Sequence, residues 1–187
     1  NLEPNIEGWT SLPCGSLTLT EQNGNGDFLP EDYDYLVEKL IQMLIPFNAE
    51  LKISEYIDQG CVQLLGTAGT VTTIAALNLN LPRYVRERVD GTSLTFTEVM
   101  RICRDLSAKT YLERASYPCI GNDRAELIIA GCATLEAVCK VWPVGRLWVG
   151  DRGVREGILT KMVERFGEDK AKRGNKTASR SSFDNGE

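Results

Sequence analysis

Hydrophobic residues in the first part of the 187-residue chain follow the period of a strand and then that of a helix. In segment 9–20, Leu17 and Leu19 alternate with hydroxyl side chains, which predicts a half-buried strand. Farther on, apolar residues recur at helical spacing from about Pro30, where proline suits the first turn, to about Ile45. The pattern therefore predicts an extended segment followed by an amphipathic helix.

The middle of the chain predicts a strand, a glycine turn and a helix in immediate succession. Residues 62–65 form a short apolar run, Gly-Thr-Ala-Gly-Thr follows at 66–70, and segment 71–79 is rich in Ala and Leu. The other predicted elements are helices at about 95–106, 112–115 and 123–140, a strand at 146–150 and a final helix ending near Phe166. Strands that alternate with helices predict an α/β domain with a partly parallel sheet.

The composition is that of a globular protein, except near the C-terminal end. Hydrophobic residues make up 42% of the chain and charged residues 25%, and no apolar run approaches the roughly 20 residues that span a bilayer. Residues 167–187 hold five Lys or Arg among Ser, Asn and Gly, and this composition cannot bury enough surface to fold. We therefore expect one domain at 1–166, a disordered basic tail at 167–187 and no membrane partner.

The composition also excludes several classes of function. The chain has no histidine, which excludes Ser–His and Cys–His catalysis, zinc hydrolases with His ligands and His phosphorelays. A net charge of −5, with no basic tract before the tail, argues against nucleic-acid binding. The six cysteines are scattered without zinc-ligand spacing, which favours buried, reduced thiols. The chain begins without Met and without a signal peptide, so we expect a cytoplasmic protein that starts inside a longer polypeptide.

The glycine turn is the sharpest candidate for a binding site. Two glycines let the backbone approach a ligand closely, successive N–H groups can point at one anion, and the helix that follows adds its positive dipole end. The segment lacks the Lys of a Walker A loop and is not G-x-G-x-x-G. A turn required only by chain direction is the alternative. The candidate phosphate-binding residues are Gly66, Thr67, Ala68, Gly69 and Thr70.

Two weaker candidates lie at other helix starts. Asp151 and Arg155 follow the strand at 146–150, at the end of an α/β sheet where ligands collect, and could face a cleft. Alternatively, Asp151 caps the last helix and Arg155 forms a surface pair. Arg124 could reach an anion or a partner, although an ion pair is the alternative that the neighbouring acidic residues favour.

Three segments, taken in order, resemble one protein family. They are LLGTAGTVTTIAAL at 64–77, RVDGTSLTFTEV at 88–99, and NDRAELIIAGCATLEAV at 122–138 followed by VGDRGVREGIL at 149–159. In order and spacing they resemble the second domain of the exopolyphosphatase / guanosine pentaphosphate phosphatase family. The opening WTSLPCGSLTLTE is similar to that family's strand pair, so the resemblance covers about residues 9–166.

The resemblance implies a ribonuclease-H-like domain of the actin / sugar kinase / chaperone ATPase superfamily, as one half of a two-domain bacterial enzyme. Such enzymes remove terminal phosphate from inorganic polyphosphate or guanosine pentaphosphate with Mg²⁺. The segment 66–70 would then be the phosphate loop of the second domain. The implied partners are the substrate, the first domain of the same protein and a second copy in a homodimer.

The resemblance also defines what has no match in this sequence. The family's catalytic glutamate and first-domain phosphate loop are not present, so no catalytic or metal-binding residue is assigned. We therefore expect the chain alone to be inactive. The alternative is a non-catalytic phosphate- or nucleotide-binding or interaction module of the same fold. An ATP-using member of the superfamily is a third possibility, against which the matched Arg-Glu-Gly segment at 155–157 argues.

Overall fold

The computed structural model of the chain describes residues 5–22 and 29–166. Its helices are α1 (Ser16–Gln22), α2 (Pro30–Leu51), α3 (Ile53–Asp58), α4 (Gly69–Asn78), α5 (Arg86–Val89), α6 (Phe96–Ser107), α7 (Tyr111–Ala115), α8 (Gly121–Ala125) and α9 (Ile128–Val141). Its strands are β1 (Leu64–Thr67), β2 (Ser93–Thr95) and β3 (Arg146–Gly150). Residues 154–166 form a further helix, α10. The chain divides into two compact units after Asp151, and the tail predicted at 167–187 lies outside the described residues.

The described strands form one mixed sheet in the order β1-β3-β2. β1 and β3 run parallel with Leu64 opposite Leu147 and Thr67 opposite Gly150, while β2 is antiparallel to β3. Parallel neighbours end at the same edge of a sheet. The residues that follow Thr67 and Gly150 are therefore brought together. The predicted α/β class, with a partly parallel sheet, is confirmed.

Helices cover one face of this sheet and build the core. α4 is buried over six consecutive residues, 71–76, because no charged side chain occurs from Cys61 to Pro82. α9 is buried on most of its surface and packs against α2 and α6. β3 alternates in the way a half-covered strand does, with Leu147 and Val149 buried and Trp148 exposed. This packing places the start of α4 at the edge where β1 and β3 end.

A buried carboxylate ties three helices together. Glu136 on α9 is fully buried, and its Oε2 accepts a hydrogen bond of 2.9 Å from the Tyr33 hydroxyl on α2. Arg104 on α6 forms an ion pair with the same carboxylate and lies 5.0 Å from the centre of the Tyr33 ring. Burial raises the pKa of Tyr33 well above its ordinary value. A buried charge is tolerated only when it is paired, so α2, α6 and α9 must keep this arrangement.

The strand predicted at residues 16–20 is wrong, because this segment is helix α1. The N–H of Leu19 donates to the carbonyl of Gly15 over 2.9 Å, the spacing of a helical turn. Leu19 and Thr20 are both buried, whereas Leu17 is 59% exposed. Two alternating leucines are too few to distinguish the two periods, and packing against α9 decides between them.

Two further expectations, the end of α2 and the burial of all six cysteines, are also corrected by the structure. α2 continues through Pro46 to Leu51, beyond its predicted end, and its last turns are held by Trp142, whose indole N–H donates to Asn48 Oδ1 over 2.9 Å. Cys61 is exposed and Cys14 half-buried, so burial holds only for the other four cysteines. All six are free thiols. Among the described residues, no helix has the length and apolar character needed to cross a bilayer.

Candidate phosphate-binding site

The glycine turn connects the end of β1 to the start of α4, as its sequence predicts. β1 ends at Thr67, α4 begins at Gly69, and the backbone from Thr67 to Gly69 is exposed. The carbonyl of Ala68 accepts the first helical hydrogen bond, from the N–H of Thr72, over 3.2 Å. The N–H groups of residues 69–71 precede that bond and have no acceptor within the helix. They are the donors that an anion at this end of α4 would meet.

Ala68 holds a backbone conformation that side chains rarely adopt. Its φ is 77° and its ψ is 178°, a region populated essentially by glycine. Gly69, in contrast, has an ordinary φ, and a Cβ built on it would meet nothing within 4 Å. A side chain at Gly69 would therefore project into open space at the loop. Gly66 differs, since a Cβ there would lie 3.0 Å from Leu147 and from Val71.

Thr70 contributes its backbone to the loop, while its side chain faces α9. A Cβ built on Gly131 would lie only 2.1 Å from Thr70 Oγ1, so glycine is required where α9 passes the start of α4. The Thr70 hydroxyl lies against Gly131 in this structure, and its contact with a ligand stays a prediction.

Arg124 brings a positive charge to the loop. Its Nη1 donates to the Thr73 hydroxyl in the second turn of α4 over 3.0 Å, and the side chain lines a cavity of about 590 Å³ together with residues 64–71. Within the described ranges, no carboxylate forms an ion pair with Arg124. The structural ion pair that its acidic neighbours predict is therefore wrong. The site therefore includes the positive charge of Arg124, whose location the sequence pattern did not determine.

Asp151 lies at the end of β3, beside the loop, and its carboxylate is held from one side. Its Oδ2 accepts a hydrogen bond of 2.8 Å from the Tyr84 hydroxyl and lies 3.2 Å from Arg86 Nε. Arg86 also donates to the backbone carbonyl of Asp151. The backbone N–H of Asp151 donates to Asp90 Oδ1 over 2.9 Å. The sequence pattern did not indicate Tyr84 or Arg86, because they lie more than sixty residues earlier in the chain.

Tyr84 is bonded to Asp151 at the end of β3. Burial raises the pKa of its phenol, and the hydrogen bond to Asp151 raises it further. The charge of Arg124 acts in the opposite direction.

Arg155, the remaining predicted residue, belongs to the second compact unit. It is exposed in the first turn of α10. At the start of that helix, the N–H of Gly153 donates to Glu156 Oε2 over 2.9 Å, so Glu156 supplies a cap there. A ligand contact of Arg155 stays a prediction.

The described residues do not supply a resident magnesium site. They contain no group of three or more Cys, Asp or Glu side chains placed to hold a metal ion. The carboxylates of Asp90 and Asp151, at this end of the sheet, are already engaged by an N–H group, a hydroxyl and a guanidinium. The Mg²⁺ that the resemblance implies is therefore not matched by a donor set in this part of the chain.

Comparison with known proteins adds a family and a set of similar folds. Residues 3–166 match the model of the Ppx/GppA phosphatase family. A solved Aquifex aeolicus member of that family is 26% identical over 83% of this chain and 48% of its own, with a TM-score of 0.67. An Aquifex aeolicus PPX-GPPA enzyme is 24% identical over 84% of this chain and 50% of its own, with a TM-score of 0.70. An exopolyphosphatase from Cytophaga hutchinsonii is 20% identical over 86% of this chain and 51% of its own, also with a TM-score of 0.70. Both share the fold. The chain thus spans about half the length of these proteins. No curated protein sequence gives a significant match.

Proposed function

Because the chain belongs to the Ppx/GppA phosphatase family, we propose that it is the phosphate-binding half of a phosphohydrolase. Its substrate would be inorganic polyphosphate or guanosine pentaphosphate, from which the complete enzyme removes the terminal phosphate. Residues 1–166 would form the second domain of that enzyme. The half-length match to the solved relatives supports this division, since a protein of their size has room for another domain.

The observation that carries the proposal is the set of donors gathered at the end of the parallel strands. The N–H groups of residues 69–71 face outward from the first turn of α4, and the dipole of that helix favours an anion in front of them. The guanidinium of Arg124 lies beside the second turn of the same helix, where it donates to the neutral hydroxyl of Thr73. A phosphate has the charge and the acceptor oxygens that these groups match.

The same residues do not provide for turnover. Phosphoryl transfer needs a group that orients the attacking water, and charge neutralisation on both sides of the transferred phosphorus. In the described part of the chain, the Asp151 carboxylate beside the loop is held by Tyr84 and Arg86. We therefore assign the base, and any protein ligands of Mg²⁺, to a first domain outside this chain. A homodimer remains a further partner that the family suggests.

Binding is tested by titrating the ¹⁵N-labelled chain with inorganic pyrophosphate. We expect amide shifts at residues 67–70, and Gly69→Val should weaken the affinity by about tenfold or more, because a branched side chain would occupy the ligand's place. The fold should survive, since a Cβ at Gly69 meets no atom within 4 Å. Gly157→Val is the matched control, because Gly157 is equally open and lies on α10. Shifts confined to residues 167–187 would show that the glycine turn is only a structural turn.

Turnover is tested with the purified chain by phosphate release from polyphosphate and from guanosine pentaphosphate, with and without Mg²⁺. We expect no release from either substrate, whereas a protein that also contains the first domain should release phosphate from one of them. Activity that follows the isolated chain through chromatography would contradict the assignment of the base to another domain. Asp151 would then be the residue to replace first. Pyrophosphate binding by a longer protein that still hydrolyses neither substrate would favour the non-catalytic binding module.

A further inference from the structure

Tyr84 and Arg86, which lie more than sixty residues before Asp151 in the chain, bind the Asp151 carboxylate beside the glycine turn. Thr67 and Gly150 are paired across β1 and β3, so Asp151 and Ala68 leave neighbouring strands at the same edge. Strands lie about 4.8 Å apart, which places a carboxylate-bearing residue beside the proposed anion site. A carboxylate repels a phosphate at such a distance unless its charge is offset. Anion binding at residues 67–70 therefore depends on what Asp151 is bonded to.

Arg86 and Tyr84 supply that compensation. Arg86 contacts Asp151 twice, with Nε at 3.2 Å from Oδ2 and with a second nitrogen on the backbone carbonyl, which fixes both the side chain and the turn. The Tyr84 hydroxyl donates to the same Oδ2 over 2.8 Å. These contacts hold Oδ2 in one place and pair its charge.

We propose that Tyr84 and Arg86 are positioning residues of the phosphate site, which act by holding and neutralising the Asp151 carboxylate beside the glycine loop. The inference rests on the proposed function, because it requires an anion at residues 67–70. It assigns a role to two residues that need not touch the ligand. Their effect on binding should pass entirely through Asp151.

The test is a set of double-mutant cycles read by metal-free pyrophosphate titration of the ¹⁵N-labelled chain. Tyr84→Phe should weaken binding by about threefold and Arg86→Gln by about tenfold, because each leaves the carboxylate less compensated. Arg86→Lys should restore most of the loss by returning the charge. Asp151→Asn should bind as well as the unmodified chain or better. In the Asp151→Asn background, Tyr84→Phe and Arg86→Gln should have no further effect.

Controls separate this role from a general loss of charge or stability. Tyr56→Phe removes a hydroxyl from an exposed tyrosine on α3, and Arg101→Gln removes a positive charge from α6 next to Asn78, at the opposite end of α4. Both should leave the affinity unchanged. The ¹H–¹⁵N spectrum of each variant, taken before titration, identifies those that do not fold, and the cycle of Tyr84→Phe with Asp151→Asn carries the test if Arg86→Gln is among them.

Each result of the cycles has one interpretation. Equal losses of pyrophosphate affinity for Tyr84→Phe in the unmodified and the Asp151→Asn backgrounds would overturn the inference and leave the phosphate site intact. So would undiminished binding by Tyr84→Phe and Arg86→Gln in the unmodified background. If the unmodified chain shows no shift at residues 67–70, the proposed function fails, and the role of Tyr84 and Arg86 fails with it.

Discussion

Replacement of Gly131 by alanine tests whether α9 determines the position of the phosphate loop. The new Cβ would lie 2.1 Å from Oγ1, 2.8 Å from Cγ2 and 2.9 Å from Cβ of Thr70. Because the last of these atoms is fixed to the backbone, rotation of the Thr70 side chain cannot relieve the overlap. Overpacking costs about 1–3 kcal/mol, and a clash of this depth belongs at the upper end. Alanine gains about 1 kcal/mol over glycine inside a helix, so the net loss of stability is about 2 kcal/mol.

The measurement is the free energy of unfolding in urea, determined for a double-mutant cycle with Thr70→Gly. Removing the Thr70 side chain removes all three contacting atoms, so Gly131→Ala should then be stabilising by about 1 kcal/mol through helix propensity alone. The sign of the effect should therefore reverse between the two backgrounds. In the background that keeps Thr70, pyrophosphate binding should also weaken, because the start of α4 is displaced. Stabilisation by Gly131→Ala in both backgrounds would refute the close approach of α9 to the loop.

Two other predictions concern single residues. Ala68→Gly should raise the free energy of unfolding by about 1 kcal/mol, because relief of about 1–3 kcal/mol of backbone strain exceeds the entropy that glycine adds to the unfolded chain. The control Ala49→Gly, at an exposed site in α2, should lower the free energy of unfolding by about 0.5–1 kcal/mol. A loss of the same size for both variants would contradict backbone strain at Ala68. Hydrogen bonds from the N–H and hydroxyl of Thr95 lower the pKa of Glu98 in the folded state. The ionised carboxylate therefore stabilises the fold at pH values above its pKa in the unfolded chain. This stabilisation is lost as the pH falls through the lower pKa of the folded state. Urea unfolding at about pH 6 and about pH 3 should therefore show a smaller acid-induced loss of unfolding free energy for Glu98→Gln than for the unmodified chain. An equal loss for both proteins would contradict the role of Glu98.

The family predicted from three sequence segments is confirmed by the match over residues 3–166. The reason such segments suffice is local. The turn 66–70 lies between a short apolar run and an uncharged helix, and the order strand, glycine turn, helix is written in consecutive residues. The capping box of Thr95 and Glu98 also depends on local sequence, since its two residues are three positions apart. Local features of this kind require no knowledge of what packs against them.

Features that depend on distant partners were not predictable in this way. The alternation of Leu17 and Leu19 is compatible with a strand, and only burial of Leu19 in the core selects the helix. The side chain of Thr70 lies against Gly131, because α9 passes the start of α4 at that point. Neither outcome can be derived from the residues on either side, because the deciding neighbour belongs to another element.

The sequence by itself determined that a glycine turn joins a strand to a helix, and that no histidine chemistry takes place in this chain. Tertiary structure alone decided which charges surround that loop. Arg124 reaches Thr73 across 51 positions of sequence, and Tyr84 reaches Asp151 across 67. Asp151 lies beside the turn because β1 and β3 run parallel and end together, whereas Arg124 reaches Thr73 because its helix, α8, lies close to α4. The charge around the candidate anion site is therefore set by tertiary packing.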